Sequence, residues 1–330
     1  MDTETADGET VDRTAGDGRT AEGGTAAGAT ADGARLAARF EADRPHLTAV
    51  AYRLLGSAAE ADDALQDAWL RARRADTTGV ENLTGWLTTV VTRVCLNQLR
   101  ARRNRREDPL DALEPDAALG AAGGDPAREA LLADEVGVAL LVVLDTLSPA
   151  ERVAFVLHDL FATPFDEVAP LLDRTPAATR QLASRARRRV RGTAPAPTGD
   201  ASRRREAVEA FLAAARGGDF AALFALLAPD VVLRADAHVG PSPAPVTVRG
   251  AETVARGALA AVARARFTGP ALLDGRIGLV MAPYGRPRLV LAFSFDDTGR
   301  IARVEIVAEP DRLRETEIAV AGPERPELDH

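Results

Sequence analysis

The chain contains no lysine, and all 41 of its basic residues are arginine. It has a single cysteine, Cys95, which excludes a disulfide within the chain and agrees with a reducing cytoplasm. Because Cys95 lies in an apolar run, we interpret it as a buried, inert thiol. Aromatic residues make up only 4% of the sequence, and no apolar run approaches membrane-spanning length. The acidic start also argues against a signal peptide, so we expect a cytoplasmic protein without a membrane partner.

Motifs for catalysis and cofactor binding are missing as well. The sequence has no metal-ligand spacing, no phosphate-binding loop and no dinucleotide fingerprint. His46 and His158 are isolated, and we expect packing or surface roles for both. The sequence therefore predicts no catalytic residue, no metal and no cofactor, and we interpret the chain as a protein that is not an enzyme.

What the chain does have is a concentration of arginine on one predicted helix. The net charge is −8, so basic residues must act by local clustering. Seven arginines and no acidic residue lie between Arg174 and Arg191. Thr175 can cap a helix there, and Pro176 suits its first position. A narrow apolar stripe recurs every four residues, at Ala178, Leu182, Ala186 and Val190. This pattern is typical of the second helix of a helix-turn-helix that binds DNA.

Composition divides the first two thirds of the chain into four segments. Residues 1–34 carry eight acidic and two basic residues, a net charge of −6, and few large apolar side chains, which predicts a disordered acidic tail. Helical periodicity predicts all-α domains over residues 35–107 and 130–192. The proline- and glycine-rich residues 108–129 between them are interpreted as a linker.

The last third changes character. Residues 193–201 are interpreted as a second linker, and residues 316–330 as a weakly ordered tail. Between them, residues 202–315 show helices followed by extended segments, with a hairpin turn at residues 297–299. The predicted fold is therefore multidomain: two all-α domains, the second a helix-turn-helix, followed by an α+β domain.

Spaced segments resemble a known family. Residues 62–72 (DDALQDAWLRA) resemble the helix by which bacterial sigma factors grip RNA polymerase. Residues 85–97 (GWLTTVVTRVCLN) resemble their promoter-melting and minus-ten-reading segment. Residues 147–159 (LSPAERVAFVLHD) with 165–169 (FDEVA) resemble their minus-thirty-five-reading domain. Order, spacing and linker are similar to those of extracytoplasmic function sigma factors, the class of the sigma-70 family with only two sigma domains.

The resemblance implies that the partners are promoter DNA and core RNA polymerase, through its β′ and β subunits. An acidic-polar face would dock on a basic coiled coil of β′, and the alternative is an ordinary solvated helix face. That face consists of Asp62, Asp63, Gln66 and Asp67. Loop residues 75–84 would line a pocket for a captured base of the minus-ten element. The neighbouring DNA contacts would be Asn97, Arg100, Arg102 and Arg103.

In the second sigma domain, the predicted helix would enter the major groove, where arginine pairs with guanine and glutamine with adenine. Some of its arginines must serve phosphates instead. The candidate DNA-binding residues are Arg180, Gln181, Ser184, Arg185, Arg187 and Arg188. The alternative interpretation is an arginine-rich solvated helix, which fits poorly with the capping pattern.

Residues 202–315 resemble a SnoaL-like domain, a cone-shaped α+β fold that a subgroup of these sigma factors carries as a built-in regulator resting against the sigma domains. The relatives' Asp-Gly-Gly-Gly-Lys and Asn-Pro-Asp-Lys-Leu elements survive only partly, at residues 236–240 and 309–313. The candidate regulatory residues are Asp236, Pro310, Asp311, Arg312 and Leu313. Truncation after Arg191 is expected to alter transcription without removing promoter specificity.

Two other classes stay open. The chain could be an enzyme of the SnoaL or ketosteroid-isomerase type fused to a DNA-binding module, with Asp236 as base near His238 and Tyr284. An inert, structural Asp236 is the preferred interpretation, because a shared fold does not imply activity. A repressor that uses only its helix-turn-helix is the third class.

Overall fold

The computed structural model describes residues 22–107, 125–192, 199–240, 244–261 and 265–321. The N-terminal domain is all-α, as the sequence predicts. Its helices are α1 Glu22–Leu55, α2 Ala58–Ala72 and α3 Leu83–Glu107. Leucines and valines of α1 and α3, together with Leu65 and the alanines of α2, fill one core between the three helices.

Helix α1 begins inside the segment that the sequence predicts to be disordered. That prediction is wrong for residues 22–34, which are helical, and residues 1–21 lie outside the described part of the chain. Five of the 13 residues 22–34 are alanine, the residue of highest helix propensity, but four are glycine, which disfavours a helix, so propensity alone does not account for it. Extending a helix that is already docked on a core also avoids the cost of nucleating a new one.

The first predicted linker also ends earlier than expected. Helix α4, Pro126–Val136, takes the last residues of the segment 108–129, so the linker prediction is wrong for residues 126–129. The Asp125 side chain accepts a hydrogen bond from the Ala127 N–H at 2.9 Å and caps the helix. Proline at the first helical position has no N–H to leave unpaired, so Pro126 starts the helix rather than breaking it.

The second domain is the predicted helix-turn-helix unit with two preceding helices. Its elements are α5 Val138–Thr146, α6 Pro149–Phe155, a π-helical turn Val156–Leu160, α7 Phe165–Val168 with a 3-10 turn Ala169–Leu171, and α8 Pro176–Arg191. Both predicted caps are confirmed. Ser148 and Glu151 form a capping box on α6, and Thr175 accepts from the Ala178 N–H at 3.2 Å on α8.

The apolar stripe of α8 differs from the predicted one. Thr179, Ala183 and Ala186 are buried, whereas Leu182 and Val190 are half-buried. Because an α-helix has 3.6 residues per turn, positions four apart drift by about 40° at each step. A strict four-residue stripe therefore leaves the buried side, and the contact surface alternates between steps of three and four residues.

The C-terminal domain is α+β, as predicted. Helices α9 Gly199–Gly217, α10 Phe220–Leu226 and α11 Ala251–Ala260 pack on one face of a sheet, and α12 Pro310–Glu315 follows the last long strand. In the described residues the strands are β1 Leu227–Ala235, β2 Val246–Arg249, β3 Thr268–Leu273, β4 Arg276–Met281, β5 Leu289–Phe295, β6 Ile301–Val307 and β7 Ile318–Ala319. Their spatial order is β2-β1-β6-β5-β4-β3-β7, with β1 and β6 parallel and the other neighbours antiparallel.

Two boundaries of this domain need correction. Helix α9 already begins at Gly199, so the second linker prediction is wrong for residues 199–201. The predicted C-terminal tail is wrong for residues 316–321, because β7 pairs with β3 and the Val320 N–H donates to the Val190 carbonyl at 2.9 Å. A two-residue strand that is paired with residues 272–273 carries no local sequence signal. Residues 193–198 and 322–330 lie outside the described part.

Part of the second face of the sheet, at strands β3, β4 and β7, is covered by the helix-turn-helix domain. Side chains alternate between faces along a strand, so Leu279 joins the core under α9–α11 while Val280 joins the core shared with α5. The approach is close, since a Cβ atom on Gly269 would lie 2.9 Å from the Cβ of Val138. Helix α5 is apolar on every side because its own domain packs on one side and the sheet on the other.

Candidate nucleic-acid and polymerase interfaces

Helix α2 separates an apolar side from the predicted polymerase-docking face. Its buried residues are Ala58, Ala61, Ala64, Leu65, Ala68 and Ala72. Asp63, Gln66 and Asp67 are exposed on the other side, and Asp62 is half-exposed. All four predicted residues therefore remain on an accessible surface that can be changed without disturbing the core.

A cleft of about 450 Å³ opens beside this face. Its lining residues are Phe40, Glu41, Arg44, Asp62, Leu65, Gln66, Trp69 and Arg128. The rings of Phe40 and Trp69 lie 5.0 Å apart and form its apolar part. Arg128 of α4 donates to both carboxylate oxygens of Asp62, at 2.5 and 3.1 Å. Sequence reasoning missed Arg128, because it lies in the segment interpreted as a linker.

Next to Arg128, a buried carboxylate joins α4 to the first domain. Glu129 is 3% exposed and accepts hydrogen bonds from the Tyr52 hydroxyl at 3.0 Å and the Ala58 N–H at 2.7 Å. Burial raises the pKa of Glu129 above its ordinary value, although both hydrogen bonds and Arg128 oppose that shift. Ser57 holds the N-cap position of α2 without a side-chain cap bond, so Glu129 supplies the cap from another helix.

Replacing Glu129 by alanine should destabilise the protein. The buried Tyr52 hydroxyl and Ala58 N–H would lose their acceptor, at a cost of about 1–3 kcal/mol for each unsatisfied group. We expect a clearly lower midpoint in thermal unfolding. The matched control is Glu135→Ala on the same helix, since Glu135 is exposed. Equal midpoints for the two variants would contradict the structural role of Glu129.

The basic end of α3 divides its arginines between two directions. Asn97, Arg100 and Arg103 are exposed and recur every three residues along the helix. Arg102 is only 19% exposed, donates to the Leu55 carbonyl at 3.1 Å and pairs with Glu60. A DNA contact by Arg102 stays a prediction, and it would require these bonds to break.

The loop before α3 borders a second cleft of about 530 Å³. Its lining residues are Arg35, Ala38, Arg39, Ala42, Glu81, Asn82, Leu83 and Thr84. The last part of the loop predicted to hold a captured base thus faces a real opening, with α1 as the opposite wall. Arg39 donates to Asp43 and to the Thr84 hydroxyl, both at 2.8 Å, which fixes the floor of this cleft.

Helix α8 displays most of its predicted DNA-binding residues. Arg180, Gln181, Arg185 and Arg188 are exposed, whereas Ser184 is half-buried. The Arg180 guanidinium lies 5.5 Å from the ring centre of Phe165 on the first helix of the motif, which orients it. Arg187 is half-buried and bonds to Asp159 at 2.5 Å. Arg187 would therefore have to exchange a carboxylate for a phosphate to bind DNA.

Two candidate regulatory segments of the C-terminal domain meet in space. Asp236 follows β1, and its carboxylate accepts from the backbone N–H groups of Ala308, Glu309 and His238 at 2.7–2.9 Å. Burial raises the pKa of Asp236, but these three donors outweigh it and hold the pKa below its ordinary value. The residue joins the ends of β1 and β6, which supports the structural interpretation over that of a catalytic base.

The remaining candidate regulatory residues lie on α12. Pro310, Asp311 and Arg312 are exposed, and Arg312 pairs with Glu305 at 3.0 Å. Leu313 packs against the apolar cluster that continues into the helical domains. Of the possible catalytic partners, His238 is 56% exposed at its side chain, and the Tyr284 ring stacks 6.5 Å from Phe267.

Comparison with known proteins decides the family. Residues 39–105 match the model described as Sigma-70 region 2, and residues 137–190 match that described as Sigma-70, region 4. The chain is 38% identical to the ECF RNA polymerase sigma factor SigJ of Mycobacterium tuberculosis, over 84% of this chain and 92% of SigJ. The chain belongs to the extracytoplasmic function sigma factors. The resemblance found in the sequence is thereby confirmed.

A second relative agrees with this assignment. The chain is 33% identical to a second Mycobacterium tuberculosis protein, named "Probable ECF RNA polymerase sigma factor SigI", over 84% of this chain and 94% of that protein. The crystal structure of SigJ aligns with a TM-score of 0.38 at 36% identity, covering 84% of this chain and 98% of the SigJ chain. Among the helices of the described residues, none has the length and apolar character to cross a membrane.

Proposed function

We propose that this sigma factor binds core RNA polymerase in the cytoplasm and directs it to promoters, while its C-terminal domain modulates that activity. The observation that carries the proposal is the presence, in one chain, of two sigma regions that each display exposed arginines on a single helix. The polymerase supplies the chemistry, so the sigma factor itself is expected to turn over no substrate. In-vitro transcription with purified core polymerase tests the proposal, and failure to start transcription at any promoter would contradict it.

In this proposal each domain has a separate partner surface. Asp62, Asp63, Gln66 and Asp67 bind the basic coiled coil of β′. Asn97, Arg100 and Arg103 hold the backbone beside the melted minus-ten element, and the cleft next to residues 81–84 receives a base. Helix α8 enters the major groove of the minus-thirty-five element. Support comes from the exposure of these side chains, from the cleft, and from the caps that position α8.

The C-terminal domain is proposed to bias the sigma domains between a closed and a promoter-ready arrangement. Two contacts support this: the sheet packs on α5, and Val320 bonds to the carbonyl of Val190 near the end of α8. The first contact joins this domain to the helix-turn-helix domain, and the second joins it to the end of the helix that would read DNA. Any ligand that binds one arrangement better would shift the balance by its differential affinity.

A matched pair of alanine substitutions tests this packing. Gly269→Ala would place a methyl group 2.9 Å from Val138, so the sheet must move away from α5. We expect a loss of about 1–3 kcal/mol in stability, as for overpacked cores, together with altered transcription. Gly257→Ala on α11 is the control, because its added methyl group meets nothing within 4 Å. Identical transcription by the two variants would argue against modulation through this interface.

A repressor function without polymerase would be favoured by specific DNA binding combined with no binding to core polymerase.

The lowered pKa of Asp236 and its three backbone donors speak against the enzyme alternative, which would require turnover of a ketone or polyketide substrate.

A further inference from the structure

Helix α4 covers part of the surface that the proposed function assigns to the polymerase. Arg128 forms a two-point ion pair with Asp62, at 2.5 and 3.1 Å. Both side chains keep solvent contact, with 46% and 43% of their surfaces exposed. The guanidinium therefore occupies the position that a basic side chain of a docking partner would need.

The position of Arg128 is set by its buried neighbour. Glu129 fixes α4 to the first domain through the Tyr52 hydroxyl and the Ala58 N–H. Because Ala58 begins α2 and Asp62 lies one turn later on the same helix, consecutive residues of α4 contact consecutive turns of α2. Arg128 is thus held over Asp62 by a docked helix, unlike a mobile surface side chain.

The other end of α4 is held by the C-terminal domain. Asp134 accepts from Arg216 of α9 at 2.9 Å. The remaining nitrogens of that guanidinium donate to the carbonyls of Ala265 at 3.1 Å and Thr268 at 2.7 Å. Arg216 is therefore held in place by its own domain, and Asp134 is one of the points at which that domain contacts α4.

We propose that α4 is a built-in competitor for the polymerase-docking face, and that the grip of Arg216 on Asp134 sets how firmly it competes. This inference rests on the proposed role of Asp62. The partner that displaces α4 must present a cationic side chain to Asp62 and an apolar side chain to the cleft formed by Phe40, Leu65 and Trp69. A basic amphipathic helix has this chemistry.

Ion pairs of this exposure are individually weak, so losing the pair between Arg128 and Asp62 is expected to change the affinity only modestly. Removing Arg128 should raise the affinity for core polymerase about two- to fivefold. Reversing the charge of Asp134 should also raise the affinity for core polymerase, although Asp134 lies at the other end of α4. Repulsion from Arg216 would loosen that end of the helix. Core polymerase can shift the equilibrium between docked and displaced α4 only by the difference in its affinity for the two arrangements.

The test measures the dissociation constant of full-length protein and purified core polymerase for Arg128→Ala and Asp134→Arg. Both are expected to bind two- to fivefold more tightly than the parent, with faster hydrogen exchange in residues 126–136. The control is Arg256→Ala, which removes an exposed arginine paired with Glu252 on α11. Unchanged or weaker binding by Arg128→Ala would overturn the inference.

A third variant, Asp62→Arg, separates this inference from the proposed function. If it loses polymerase binding while Arg128→Ala binds like the parent, the docking face stands and the competitor role is wrong. If Asp62→Arg binds normally, the docking face itself is misplaced, and the competitor role is wrong with it.

Discussion

Charge reversal of Asp62 and Asp63 together should abolish binding to core RNA polymerase. Asp63 is exposed on the side of α2 away from its buried alanines, and Asp62 is half-exposed at the edge of that side, so the substitutions leave the core of the first domain intact. Close charge pairs across an interface contribute about 1.5–7 kcal/mol. Replacing two attractions by two repulsions is therefore expected to weaken binding by about 100-fold or more.

A pull-down of core polymerase with Asp62→Arg/Asp63→Arg protein measures this loss. The matched control is Glu209→Arg/Asp230→Arg, which reverses two exposed carboxylates of the C-terminal domain. Circular dichroism should show the same helix content for both variants. If the Asp62→Arg/Asp63→Arg protein still pulls down core polymerase, the acidic face of α2 is an ordinary solvated surface.

Substitutions on α8 should have the second largest effect, on promoter choice. Gln181→Ala and Arg185→Ala each remove an exposed side chain that we propose contacts a base edge. A lost bidentate base contact costs about 1–3 kcal/mol of discrimination, or roughly 5- to 150-fold in relative affinity. Arg188→Ala, further from the start of the helix, is expected to weaken binding to all sequences equally and to reduce its salt dependence, as for a phosphate contact.

The control for these variants lies on the same helix. Arg189 donates to the Thr146 carbonyl at 3.1 Å and lies 3.8 Å from Glu151, so it points toward its own domain. Arg189→Ala should leave the order of promoter preference unchanged in competitive binding with purified holoenzyme. If Gln181→Ala and Arg185→Ala instead lower binding uniformly for every sequence, those two residues contact phosphates.

The structure also changes how truncation after Arg191 must be interpreted. Removing the C-terminal domain would expose the side of α5 that packs on the sheet, including Val138. Exposed apolar surface of this kind favours association, so altered transcription by the truncated protein would mix lost regulation with lost solubility. Gly269→Ala and Asp134→Arg keep the domain in place and test the contacts separately.

The sequence by itself determined the local features of this protein. Capping by Ser148 and Thr175 involves residues no more than three positions apart, so the beginnings of α6 and α8 were predictable from the order of amino acids. The arginine-rich surface of α8 and the acidic surface of α2 follow equally from helical periodicity and composition. The resemblance to sigma factors was found from short segments and their spacing, and the comparison with known proteins confirms it.

Only the tertiary structure decided which side chains form hydrogen bonds or ion pairs with distant parts of the chain. Arg128 and Glu129 meet partners 66 to 77 residues away, Arg216 meets Asp134 across two domains, and no short-range pattern encodes such contacts. The two-residue strand β7 exists because β3 offers it an edge. The physical reason is common to all of them: caps and amphipathic faces arise from neighbours along the chain, whereas burial and ion pairing depend on which distant surfaces share one core.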